Sequence, residues 1–222
     1  MFRISAIIAS TLALAACSLP SSSGGSAAHQ AMRPAALTRA PSVSDRQCLT
    51  QLAATAASFT PLPDKYYGAH CSTLDSVQLT ALRSDHASLA VSNLGPVSCP
   101  LAETFAGWAR YGVDRAARVV LGSPLVRIET FGSYNCRNVA GTARLSAHAT
   151  ANAIDVSAFD LADGRRITVK DGWNGGTRAE KEFLQIVHKS ACKRFGTVLG
   201  PGYNAAHQDH FHLENSASSF CR

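Results

Sequence analysis

Apolar positions recur with a period near 3.6 residues through Leu101, Phe105, Trp108, Ala109, Val113, Ala116 and Val120, the spacing that lines up one face of a helix. Pro100 opens this run, and Gly122 and Pro124 close it. The pattern predicts a core helix with Trp108 packed inside. A second helix is predicted behind Thr177-Arg178-Ala179-Glu180, which has capping-box spacing; Phe183, Leu184, Val187, Ala191 and Phe195 form its apolar face and Gly196 its stop. Five stretches read as strands: 88–94, 125–131, 153–161, 166–170 and 210–214. Asp163-Gly164, between the third and fourth, is a hairpin signal. Strands and helices do not alternate regularly, so the expected fold is α+β, a mostly antiparallel sheet with flanking helices.

Composition narrows the class. The 222 residues are 46% hydrophobic and 16% charged, enough apolar surface for one ordinary domain and too much for a disordered chain. Aromatics at 7%, with 16 Gly and 9 Pro, exclude collagen-like and proline-rich classes. The formal charge of +6 comes without a Lys/Arg run, so nucleic acid is not an expected partner.

The first residues read as an address. Arg3 is followed by an apolar stretch, 4–16, broken only by Ser and Thr; it is too short for a permanent membrane span and reads as a signal peptide over 1–16. Leu14-Ala15-Ala16-Cys17 resembles the lipobox of bacterial lipoproteins, which implies an acylated Cys17 and a membrane lipid anchor. In that family's logic Ser18 points to the outer membrane. An ordinary cleaved signal, with Cys17 lost, is the other reading. Residues 17–47, rich in Ser, Ala, Gly and Pro, read as a tether, and 48–222 as the domain. Six further cysteines remain: Cys48, Cys71, Cys99, Cys136, Cys192 and Cys221. An even number at wide spacing with no CxxC pair fits an oxidised, exported domain rather than a zinc knuckle. Among the possible pairings, the expectation is Cys48–Cys71, Cys99–Cys136 and Cys192–Cys221, each clipping a local segment to its neighbour.

Two stretches carry the chemistry: Ser146 to Asp155 (SAHATANAID) and His207 to His212 (HQDHFH). Imidazole and carboxylate are zinc ligands, and a catalytic zinc keeps three protein ligands with one position open. In a strand, His210 and His212 share one face, with Phe211 and Leu213 on the other. Asp155 shares a face with Ser157, opposite Ile154, Val156 and Ala158. A carboxylate in so apolar a strand is costly to bury without a compensating cation. His148, on a loop able to fold back over Asp155, completes a candidate ligand set of His148, Asp155 and His212. Ser146 is read as orienting that loop, Glu214 as solvent-exposed, and His29, His70, His86 and His188 as surface or satisfied residues. Trp173 reads equally as packing or as a groove wall.

Ser146-x-His148-x-x-Ala151-x-Ala153-x-Asp155 resembles the SxHxxGxAxD signature of zinc D-Ala-D-Ala peptidases, and His207-x-Asp209-His210-Phe211-His212 resembles the second motif of the penicillin-insensitive murein endopeptidases. The chain from about Cys48 to Cys221 also resembles the bacterial extensin-like C-terminal domain family, including Gly132-Ser133-Tyr134-Asn135-Cys136-Arg137 and Leu199-Gly200-Pro201. The resemblance implies a hedgehog/DD-peptidase fold, a Zn²⁺ cofactor held by His148, Asp155 and His212, and hydrolysis of peptidoglycan peptides. It places Asp209 and His210 in proton transfer or oxyanion stabilisation, Arg137 on the substrate, and His207 in the same catalytic group. Two positions depart from the pattern: Ala151 stands where Gly is usual, implying strain if the turn needs positive φ, and Asp209 is one methylene shorter than the usual Glu. These departures keep a second reading open, a lipid-anchored wall-binding module that retains a zinc site without catalysis.

Overall fold

The computed structural model describes residues 42–222 and the backbone of Ala36–Leu37. The signal segment, Cys17 and His29 lie outside the described residues.

Strand β1 (Ala36–Leu37) is followed by helix α1 (Val43–Ala54). Ser42 and Asp45 cap α1 reciprocally, each side chain accepting the other's backbone N–H. Among the described residues, regular structure thus already includes residues that the sequence pattern assigns to the tether. Only Cys48 and Leu52 of α1 are buried, which leaves no apolar period to read.

The strands follow as β2 (Ser58–Pro61), β3 (Asp64–Gly68), β4 (Cys71–Thr73), β5 (Ser76–Arg83), β6 (Ser88–Ser92), β7 (Pro96–Ser98), β8 (Leu125–Gly132), β9 (Ala153–Leu161), β10 (Arg166–Thr168), β11 (Thr197–Leu199), β12 (Phe211–Glu214) and β13 (Phe220–Cys221). One sheet runs β13-β11-β12-β9-β8-β6-β5-β2, with β10 beside β9 and β7 beside β5. Only β6–β8 and β11–β13 pair in parallel within it, so the expected α+β architecture and mostly antiparallel sheet are observed. β1, β3 and β4 form a small separate sheet. The Asp163-Gly164 turn joins β9 to β10 as read from sequence.

The predicted core helix is present but irregular. An α-helix α2 (Cys99–Trp108) runs into two wider π-type segments, Ala109–Asp114 and Ala117–Leu121, and Gly122 closes it at φ 70°. The widening sets Asp114, fully buried, where its carboxylate accepts from Arg118 Nε and from the Leu125 N–H that opens β8. Trp108 is fully buried among Phe105, Phe159 and Phe195, and its Nε1–H donates to the Val187 carbonyl at 3.1 Å. Val187 lies on α4 (Arg178–Cys192), which starts at the expected Thr177–Glu180 capping box and buries Phe183, Leu184, Val187 and Ala191. It stops at Cys192 rather than near Gly196. Gly196 serves a closer need: a Cβ there would sit 1.8 Å from the Ser216 carbonyl oxygen, so only glycine lets these backbones meet.

Three expectations are corrected, at the fourth strand, Ala158 and the disulfides, and the two readings of Trp173 are decided. The fourth predicted strand ends at Thr168, whose hydroxyl accepts from the Asp171 N–H and starts helix α3 (Val169–Gly175). On α3, Trp173 packs edge-on against His188 and Phe211 at 5.5 and 5.7 Å, so it is packing rather than a groove wall. Ala158 is fully buried but lies outside the cluster that holds Ile154 and Val156, because β8 pairs Val156 with Thr130 but Ala158 with Glu129. Ser157 is the extra residue of this bulge, and the shift brings Phe159 rather than Ala158 into the cluster with Ile154 and Val156. The cysteines pair as Cys48–Cys99, Cys71–Cys136 and Cys192–Cys221. The two local clips expected at Cys48–Cys71 and Cys99–Cys136 are replaced by long-range ones, because α1 lies against α2 and β4 against the segment after β8.

Candidate metal centre

The spacing from Ser146 to Asp155 is a sequence of local devices. Ser146 caps a 3₁₀ turn, Ala147–Thr150, its Oγ accepting from the His148 N–H. Ala151 ends the turn in the left-handed region at φ 55° and ψ 27°, and the chain enters β9. His148 is thereby folded back against the strand, 2% exposed.

Register supplies the rest. Asp155 on β9 and His212 on β12 are direct cross-strand partners. His148 Nε2 lies 3.2 Å from His212 Nδ1 and 3.2 Å from Asp155 Oδ2, and His212 Nδ1 lies 3.0 Å from Asp155 Oδ1. Tetrahedral bonds of about 2.05 Å have edges of about 3.3 Å, so the two ring nitrogens and the Asp155 carboxylate lie within reach of one small divalent cation.

Each ring is fixed through its other nitrogen. His148 Nδ1–H donates to the Ser133 carbonyl at 2.5 Å, and His212 Nε2–H donates to Glu214 Oε2 at 3.4 Å. The inward nitrogens are therefore lone pairs facing a carboxylate. Three acceptors at this separation repel unless a proton or a metal ion lies among them, and metal-ligating histidines are held in this way. The donor set fits a divalent cation. Without one, a proton takes the place: burial opposes charge on His212, but Asp155 and Glu214 outweigh it and raise its pKa to about 9. Burial likewise opposes charge on Asp155, yet hydrogen bonds from His148 and His212 hold its carboxyl well below the usual carboxylate range.

The second motif gathers beside this trio. His210 Nδ1–H donates to Asp209 Oδ1 at 2.8 Å, which leaves Nε2 turned toward Asp155 Oδ1 at 3.5 Å. His207 Nδ1–H donates to Asn204 Oδ1 at 2.7 Å, and its ring lies 5.2 Å from that of His210 and 5.9 Å from that of His212. Burial, followed by the neighbouring His210 and His212, lowers the His207 pKa to about 4, so its ring is neutral at neutral pH. Arg137 is exposed; its carbonyl accepts from the Ser146 N–H.

Sequence reasoning missed Ser133 and Glu214. Ser133 contributes only a carbonyl, which residue type does not signal. Glu214 was predicted to face solvent, although its position two residues along the His212 face was the available clue. The other described His are as read: His70 and His86 are exposed, and His188 Nε2–H donates to the Arg222 carbonyl at 3.1 Å. His188 also lies near Cys192 and Cys221, but their disulfide takes those sulfurs out of any metal site. A cavity of about 960 Å³, lined by Leu49, Leu62, Leu74, Thr150, Asn152 and Asn215 among others, contains none of the trio. No helix among the described residues is long and apolar enough to cross a membrane.

Comparison with curated proteins and with solved structures yields no match. The family model for the extensin-like protein C-terminus matches residues 46–222, and the chain belongs to that family.

Proposed function

We propose that the chain is a zinc-dependent peptidase that hydrolyses stem or cross-bridge peptides of peptidoglycan. The carrying observation is that His148 Nε2, Asp155 and His212 Nδ1 converge from three segments, each ring pinned through its outer nitrogen. The motif resemblance to zinc D-Ala-D-Ala peptidases and murein endopeptidases supplies the substrate class, and the hedgehog/DD-peptidase fold belongs to the same proposal.

Zinc bound there would supply a Lewis acid for the scissile carbonyl and bring the pKa of a bound water to about 7. His210 is the general base: Asp209 holds its Nδ1–H, so the free Nε2 faces the centre. Asp209 is thus a positioning residue rather than the proton acceptor its motif position implies. Proton transfer of this kind contributes about 10² to 10⁴-fold. His210 then returns the proton it took from water to the departing amine, while His207, neutral and held by Asn204, keeps its ring beside that of His210. Arg137, exposed, is assigned to a substrate carbonyl or carboxylate. Location in the bacterial envelope through a lipid on Cys17 is part of the proposal; three disulfides fit an oxidising compartment. The second reading, a wall-binding module with a retained metal site, is favoured by one observation, the left-handed Ala151 beside His148.

The test is muropeptide release from purified sacculi by zinc-loaded protein, with and without chelator. His148→Ala and Asp155→Ala should lose metal, and His210→Ala should keep it while turnover falls by about 10² or more. An unchanged fragment profile at full zinc occupancy would favour the binding module. Equal metal loss in all three variants would make His210 a ligand.

A further inference from the structure

Beyond His207 the ring contacts continue outward to a pair of exposed aromatics. The Tyr203 ring lies 5.4 Å from His207, and Phe220 meets Tyr203 edge to face at 5.7 Å. They are 44% and 41% exposed, and the Arg222 guanidinium carbon lies 5.8 Å from the Phe220 ring centre. The shelf is held by backbone. Phe220 N–H donates to the Gly196 carbonyl at 2.9 Å, Arg222 N–H to Val198 at 3.0 Å, and Gly200 N–H to Arg222 at 2.8 Å. The Cys192–Cys221 disulfide ties the same segment to α4. Apolar rings so fixed in contact with solvent lose little entropy when a ligand covers them.

We infer that Tyr203, Phe220 and Arg222 form a carbohydrate subsite that takes an N-acetylated amino sugar of the substrate's glycan. The inference rests on the peptidoglycan reading above. Two rings are far too small for a protein interface, which needs about 800 Å² per partner. A pyranose fits what is present: its C–H face lies on the electron-rich face of an aromatic ring, and its hydroxyl and amide groups reach the guanidinium and the exposed amide of Asn204 at the edge. Distance also fits. The shelf lies three ring-to-ring steps of 5.9, 5.4 and 5.7 Å from His212, a path of the same order as the ~13 Å spanned by an extended peptide of about four residues between a bond cut at the metal centre and a sugar.

The probe is chitotetraose, a peptide-free N-acetylglucosamine oligosaccharide, titrated calorimetrically into the full chain. Saturable binding is expected, weakened about tenfold by Phe220→Ala and by Tyr203→Leu, the loss appropriate to one stacked ring. Phe220→Ala, whose ring touches none of the catalytic histidines, should raise KM for a glycan-bearing muropeptide with kcat unchanged, and leave KM for the sugar-free peptide unaltered. Absence of saturable binding to the wild type, or equal effects on both substrates, overturns the inference. So does a concentration-dependent dimer that Phe220→Ala abolishes, which would give the shelf to a second copy of the chain. The binding arm is repeated in Asp155→Asn, which is hydrolytically dead on the reading above. Oligosaccharide binding without turnover of any peptide therefore supports the shelf while defeating the peptidase, and turnover without oligosaccharide binding does the reverse.

Discussion

Glu214 Oε2 lies 3.4 Å from His212 Nε2, the ring nitrogen opposite the one that faces Asp155. The carboxylate fixes the Nε2–H tautomer and leaves Nδ1 as the donor atom for a metal. Partners of this kind typically contribute about 10 to 100-fold to metal affinity. Glu214→Ala is expected to weaken zinc binding by that factor, and Glu214→Gln, whose amide oxygen still accepts, by less. Competition against a chromophoric chelator measures both. Wild-type affinity in Glu214→Ala would remove Glu214 from the site.

Metal affinity should climb with pH. In the metal-free protein His212 carries its proton up to about pH 9, against an ordinary value of 6.5. That proton must leave before Nδ1 binds a cation, so the zinc association constant should rise about tenfold per pH unit as pH approaches that value and flatten above it. Stability of the metal-free fold should move the other way. A raised pKa means the paired imidazolium stabilises fully below 6.5 and is lost as pH rises through about 9. Asp155, its pKa depressed, contributes above 3.8 and is lost only in strong acid. Thermal scans of chelated protein should show Tm falling between those two His212 values. A pH-independent association constant would contradict the assigned protonation.

Cys71–Cys136 ties β4 to the segment that carries the Ser133 carbonyl, and hence to His148. It closes a separation of 65 residues, and Cys48–Cys99 one of 51; loop entropy puts both near 4 kcal/mol. Replacing either pair with serine should cost about that much in urea unfolding. Only the Cys71/Cys136 variant should also weaken zinc binding, since Ser133 is then released. A zinc defect of the same size in the Cys48/Cys99 variant would show that general loosening, rather than Ser133, is responsible.

What the sequence makes legible here is local. Thr177 and Glu180 are three residues apart and announce α4, and Asp163-Gly164 announces the β9–β10 turn. Ser146 through Asp155 announces a cap, a turn and a strand, because each step is settled by neighbours within four residues. Pairing across space is not legible in this way. Cys48 meets Cys99 because α1 lies on α2, a contact that neither segment's pattern specifies. Ser157 is bulged because β8 shifts register against β9, so parity counted along β9 alone misplaces Ala158. Glu214 belongs to the site only through where the His212 ring turns. The ligand set His148, Asp155 and His212 was readable from residue type and from the resemblance of two separate motifs, while their meeting depends on the β9–β12 pairing, and the carbonyl and carboxylate that orient the rings were not readable at all.

Ala151 tests how tightly that spacing is held. It is fully buried, sits at φ 55°, and its carbonyl accepts from Ser98 N–H and Ser133 Oγ–H. An L-residue in this region costs about 1–2 kcal/mol. Ala151→Gly relieves that strain, but it removes a buried methyl worth about 0.8 kcal/mol and adds unfolded-state freedom of about 0.4–1 kcal/mol. The terms nearly cancel, so stability should change by less than about 1 kcal/mol. Ala151→Val adds a β-branched side chain to the left-handed conformation in a filled space, and overpacking alone costs about 1–3 kcal/mol. The turn should then shift and carry His148 with it, so zinc affinity should fall together with stability. Denaturant unfolding and zinc titration of the two variants decide the point: if Ala151→Val is as stable as wild type and binds zinc as well, the left-handed turn does not hold His148 in place.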